Sequence, residues 1–163
     1  MSDNIISKVV EIDNCNKDLL IEAIFKPEFW VMVNPAKSME AEFTAPNVLF
    51  TKIIDEILNI RIEMEGELVL QDMGEQYGDK GRLIELNVRN NKDIKELEGR
   101  MRIKAISNNK SKIGVFINSF KLNSDFLNLF GKSAAELTLR TKITDMLRNL
   151  EKYVRSKSLK ELL

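Results

Sequence analysis

Histidine does not occur in the 163 residues. Its absence removes Ser-His and Cys-His nucleophile activation, imidazole metal ligation and the usual near-neutral proton carrier. Cysteine is almost as scarce. Cys15 stands alone, so no intrachain disulfide and no cysteine-based zinc site can be built. It reads as a small residue near the start of a helix rather than as a reactive thiol. Charge of neither sign is in excess, 25 basic residues facing 25 acidic ones. A dedicated nucleic-acid binder needs a basic surplus to neutralise phosphates, so nucleic acid is not an expected partner. No apolar run approaches the roughly 18 residues that span a bilayer, and no signal peptide is expected at the start. Stable membrane insertion is therefore not expected, and the default location is the cytoplasm. The few glycines form neither a GxGxxG nor a P-loop pattern. No cofactor and no metal is implied.

What is present is a well-patterned globular chain. Its hydrophobic share of 44% and charged share of 31% are those of an ordinary folded domain, and its length suits a single domain over residues 1–163. The clearest element is the last one. From about Ser133 to Arg155, Leu139, Ile143, Met146, Leu147, Leu150, Tyr153 and Val154 fall on one helical stripe. Arg140, Lys142, Asp145, Arg148, Glu151 and Lys152 occupy what reads as the opposite face. Such a helix is roughly 35 Å long, the length of about ten strand residues.

The chain before it is a succession of strands interrupted once. Ser7 to Ile12 reads as a first strand ending at Asp13-Asn14. Asn16 can cap a helix over Lys17 to Phe25, and Pro27 suits the first turn of a second, Pro27 to Met32, stopped by Asn34-Pro35. Strands then follow over Ala36 to Thr44, Val48 to Asp55, Asn59 to Gln71, Arg82 to Arg89, Glu96 to Ile106 and Lys112 to Leu122, joined by short Asn-, Asp-, Gly- and Pro-containing turns. That order implies an antiparallel meander. Burying the helix stripe contributes roughly 10–20 kcal/mol before conformational entropy is subtracted. A long sheet curls, so the expected architecture is α+β: about seven curved antiparallel strands (strand, two short helices, six strands) wrapped around a long C-terminal helix.

Between a curled sheet and one helix a cavity is the geometric default. Its expected lining follows from strand parity. Phe43, Ile62, Met64, Leu86, Met101 and Ile103 lie on apolar sides of alternating strands, and Leu139, Ile143 and Met146 on the helix stripe. Phe50, Phe116 and Phe120 come from Val48 to Asp55 and Lys112 to Leu122, which are apolar on both faces, so their parity is left open. Trp30 is a core anchor, with a place at the cavity mouth as the alternative. Arg82 and Asn118 share parity with apolar neighbours and are the two polar candidates for touching a ligand. Gly66 and Gly99 fall inside strands on the inner face, where they read as kinks that also leave room. The second apolar face of Lys112 to Leu122 suggests either a partner surface or coverage by the first strand's neighbourhood.

Three stretches carry a family likeness: IRIEMEGELVLQD (Ile60 to Asp72), LEGRMRIKAI (Leu97 to Ile106) and FLNLFGKSAAELTLR (Phe126 to Arg140), with PEFWVMVNP (Pro27 to Pro35) before them. With this layout they resemble the helix-grip fold of the START-like (SRPBCC) superfamily, which includes the birch-pollen allergen group, polyketide cyclases and lipid-transfer domains. Within it the likeness runs towards the carbon monoxide dehydrogenase G-subunit-like branch. The resemblance implies a hydrophobic small molecule, such as a lipid, quinone or polyketide-like compound, held between sheet and helix. It also implies alternatives: an accessory protein for a metalloenzyme, a homodimer or other protein partner, or a cyclase or dehydratase. The lack of histidine and of any catalytic motif weighs against an enzyme. The tail Arg155 to Leu163 is a short basic-amphipathic piece, unlike the longer hydrophobic or basic extensions of some relatives in that branch.

Overall fold

The structure, a computed structural model, describes residues 4–57, 59–123 and 131–163. The first strand, β1 (Ile6–Asp13), turns at Asn14, whose φ of 56° lies in the left-handed region that asparagine tolerates. Asn16 then caps α1 (Lys17–Ile24) by accepting a hydrogen bond from the Leu19 N–H at 3.0 Å. Pro27 opens α2 (Pro27–Val33) at the position where its missing N–H leaves nothing unpaired. Six strands follow: β2 (Ser38–Ala45), β3 (Val48–Ile57), β4 (Ile60–Glu75), β5 (Arg82–Arg89), β6 (Ile94–Ser107) and β7 (Lys110–Leu122). The chain ends with α3 (Lys132–Ser156) and a 3-10 turn, Leu159–Leu162. Phe126 to Phe130, which open one of the stretches that carry the likeness, lie outside the described residues.

All six ladders are antiparallel, and the strands stand in the order β1-β7-β6-β5-β4-β3-β2. The α1–α2 pair carries the chain from one edge of the sheet to the other, after which the meander returns strand by strand to β1. The expected α+β helix-grip architecture is what the chain adopts. Ile143, Leu147, Leu150 and Val154 of α3 bury themselves in one core with Ile84, Met101, Ile103, Ile113 and Ile117 of the sheet and Leu20 and Ile24 of α1. The tail is no loose amphipathic end. Ser158 and Glu161 form a reciprocal capping box, and Leu159 and Leu162 are buried in the same core.

Register shifts explain where simple alternation fails. In β6 and β7 the ladder passes from Gly99↔Ile117 to Glu98↔Ser119, leaving Asn118 as an extra residue. Ile113, Val115 and Ile117 are buried on the inner side before it, and Phe120 packs on the core after it. Phe116 is turned outward, its ring 5.0 Å below the Arg100 guanidinium. The second apolar row expected on Lys112 to Leu122 therefore reduces to one covered phenylalanine. Gly99 sits beside this bulge, where an added Cβ would stand 2.5 Å from the Phe116 carbonyl oxygen.

Cys15 is fully buried, and its carbonyl accepts a 2.7 Å hydrogen bond from the Ser111 hydroxyl. Burial pushes its thiol up to about 11, against a smaller opposing effect of Ser111. The thiolate is the reactive species, so the native protein should resist a disulfide reagent at pH 8 and react fully only in denaturant. Fast labelling of the native protein would show that the start of α1 is not packed in this way.

Candidate functional site

The sheet's inner side is solidly packed over only part of its extent. Towards the N-terminal half of α3 the layers part around a hollow of about 290 Å³. The register of β3 and β4 builds its floor. Leu49↔Leu68, Thr51↔Gly66, Ile53↔Met64 and Asp55↔Ile62 are facing pairs, and both members of each line the hollow. Val88, Ile94, Leu97, Phe120 and Leu122 continue that floor across β5, β6 and β7. Ala135, Thr138, Leu139, Lys142 and Met146 form the roof, at the helical spacing of three and four that keeps them on one side of α3. Trp30, Met39 and the Asn34-Pro35-Ala36 link close the side. Trp30 is pinned there, its indole N–H donating to the Ile24 carbonyl at 2.8 Å and its ring edge-on to Phe29.

Of the residues expected from sequence, Trp30, Ile62, Met64, Phe120, Leu139 and Met146 come together around this hollow. Leu86, Met101, Ile103 and Ile143 belong to the packed core instead. Phe43 packs on that core beside Phe25, with ring centroids 6.4 Å apart. Phe50 lies on the other face of β3, because the odd-numbered residues Leu49, Thr51 and Ile53 are the ones turned to the hollow. Phe116 and Asn118 lie outside for the reason given by the bulge. Arg82 is at the far end of β5, engaged with Asp72 by two hydrogen bonds of 2.8 and 2.6 Å. Gly66 leaves room for a side chain rather than a ligand: Asn91 lies across it, and a Cβ there would stand 2.6 Å from the Asn91 Nδ2.

The sequence pattern misses the polar residues of the wall, two of which, Lys142 and Asp55, form an ion pair. Lys142 reads as solvent-facing for its charge alone, but it follows Leu139 by three and precedes Met146 by four. Asp55 ends the odd-numbered series on β3. The Lys142 Nζ lies 2.7 Å from the Asp55 Oδ2, and the Asp55 side chain is only 9% exposed. The other carboxylate oxygen accepts the Glu56 N–H at 2.8 Å, and Lys142 also reaches the Pro35 carbonyl at 3.4 Å. Two turns further along α3, the Asn149 amide donates to the Val33 and Asn34 carbonyls. Helix α3, strand β3 and the α2–β2 link thus meet at one ion pair on the wall of a mostly apolar hollow.

The Arg82–Asp72 contact offers a pH test of the opposite end. The hydrogen-bonded guanidinium of Arg82 holds the Asp72 carboxyl below the usual carboxylate range. A depressed folded pKa stabilises above the unfolded value of about 3.9 and ceases to as pH falls through the folded value. Both side chains are about a third exposed, 32% and 28%, so the contribution is about 1 kcal/mol or less. Asp72→Asn should therefore lower the urea midpoint slightly at pH 7, with the difference closing below pH ~4. A difference that widened in acid would contradict the pairing.

No protein-family model matches the chain, and no curated protein matches it. Solved structures do. A START superfamily protein from Mycobacterium smegmatis superposes with a TM-score of 0.64 at 14% identity, covering 92% of this chain and 96% of that one. A STAR-related lipid transfer protein from Xanthomonas axonopodis gives 0.62 at 9% identity, covering 96% and 90%. An aromatase/cyclase from Streptomyces gives 0.60 at 12% identity, covering 96% and 92%. The chain has the START-like helix-grip fold. Among the described residues, no helix is long and apolar enough to cross a membrane.

Proposed function

We propose that this protein binds or carries a hydrophobic small molecule, a lipid, quinone or polyketide-like compound, between the sheet and α3. One observation supports this above the others: a hollow of about 290 Å³ whose walls are apolar save for a few polar groups. That volume lies at the small end of the range typical of ligand sites, and such sites are apolar with a few convergent polar groups. The names of the neighbouring structures, a lipid transfer protein and an aromatase/cyclase, point to the same class of contents.

The test is native mass spectrometry of the protein as purified, together with titration by Nile red, a neutral apolar dye. A bound species of lipid-like mass, or saturable dye binding with a raised melting temperature, is expected. Absence of both would overturn the reading. An enzymatic reading, cyclase or dehydratase, has the Lys142–Asp55 pair in its favour, since general acid–base work needs a polar group inside the site. It requires turnover of a polyketide-type substrate that is lost when the pair is removed.

A further inference from the structure

We infer that the Lys142–Asp55 pair is the head-group subsite of this hollow, and that it selects an apolar ligand ending in a hydroxyl group over one ending in a carboxylate. The inference rests on the binding role proposed above and specifies the ligand's chemistry. Both residues line the hollow, with Ile53, Ile62, Leu139 and Met146 around them. Their hydrogen-bonding capacity is only partly used. An ammonium has three donors, and Lys142 directs one to Asp55 and one, at 3.4 Å, to the Pro35 carbonyl. A carboxylate has about four acceptor sites, and Asp55 uses one for Lys142 and one for the Glu56 N–H. One donor and spare acceptor sites are left side by side at an apolar wall.

The pair is electrically neutral, which decides what it can take. A hydroxyl accepts from Lys142 and donates to Asp55 without adding charge, so it satisfies both partners. A ligand carboxylate would have to share Lys142 with the nearly buried Asp55, placing two like charges together away from water. A ligand ammonium would meet the same conflict at Lys142. An ether or alkane end leaves the Asp55 acceptor sites facing apolar surface, and a site built to hydrogen-bond a group discriminates against analogues that lack it.

The experiment is displacement of Nile red from the full chain by 1-decanol, decanoate, decyl methyl ether and decane. Decanol is expected to displace the dye at concentrations about tenfold or more below those of the other three, which is about 1.4 kcal/mol. The double variant Asp55→Leu/Lys142→Met removes both charges together, so no ion is left buried alone. It should still bind Nile red and decane while losing the preference for decanol. Dye binding without a decanol preference in the wild type would overturn this assignment and leave the binding role standing. So would a preference for decanoate, or a decanol preference that survives in the double variant. No binding of dye or of any ligand would overturn both readings at once. The wild-type comparison decides the matter even if the double variant does not fold.

Discussion

Met101→Lys is expected to destabilise the protein by about 4–5 kcal/mol at pH 7, an effect large enough to leave much of a marginally stable domain unfolded. Met101 is 7% exposed at the centre of β6, facing Ile84 on β5 and Val115 on β7 in register. A lysine placed there must shed its proton, and each unit between pH 7 and its ordinary value of about 10.4 amounts to 1.36 kcal/mol. The sign of the pH dependence separates this from a general loss of packing. The folded variant would hold a neutral amine while the unfolded chain binds a proton, so stability should rise with pH towards about 10. Glu98→Lys, on the exposed side of the same strand, should stay within about 0.5 kcal/mol of the parent. Urea unfolding of both variants at pH 7 and pH 9.5 makes the comparison. Equal midpoints for Met101→Lys and the parent would mean that the inner face of β6 has been assigned to the wrong residues.

That face is legible in the sequence because β6 alternates cleanly between Leu97 and Ile103 and its neighbours alternate too. The helix stripe is legible for the same reason, and with these two features the helix-grip architecture follows. Legibility ends where alternation is not a local property. In β3, Leu49 and Ile53 differ from Phe50 and Ile54 only in register with β4, and no residue within the strand declares which set faces the helix. In β7 one extra residue, Asn118, reverses parity part-way, so Phe116 and Phe120 face opposite sides although they are spaced as if on one. Arg82 shows a different limit. Its parity with Ile84 and Leu86 holds, but the carboxylate that engages it, Asp72, lies on a neighbouring strand. Lys142 is hidden by the rule of thumb that charge points to water. A charge that keeps the spacing of the apolar stripe is the available sign that it points elsewhere, and its partner Asp55 can be found only once β3 has a parity. The tail is a plainer case, since the Ser-x-x-Glu capping signal at Ser158 and Glu161 stands in the sequence.

Thr51→Trp should abolish Nile red binding, by about 100-fold or more, with little loss of stability. Thr51 lines the floor of the hollow, so an indole at this position extends into it. Tryptophan also suits a strand. Forcing a large side chain into a well-packed core costs typically about 1–3 kcal/mol, whereas one that fills a void restores lost contacts and lessens the cavity's cost. Stability and binding therefore move independently, and the pair of measurements distinguishes a real hollow from one already filled by side chains. A variant destabilised by about 2 kcal/mol or more that still binds the dye, by the order of the overpacking cost, would place the dye elsewhere. Phe50→Trp makes the matched control, one residue along on the opposite face of β3. It should leave binding unchanged, because its ring does not reach the hollow. The two substitutions differ by one position in sequence, so a reversed result, with Phe50→Trp blocking and Thr51→Trp silent, would mean that β3 stands one residue out of the register on which the floor of the site depends.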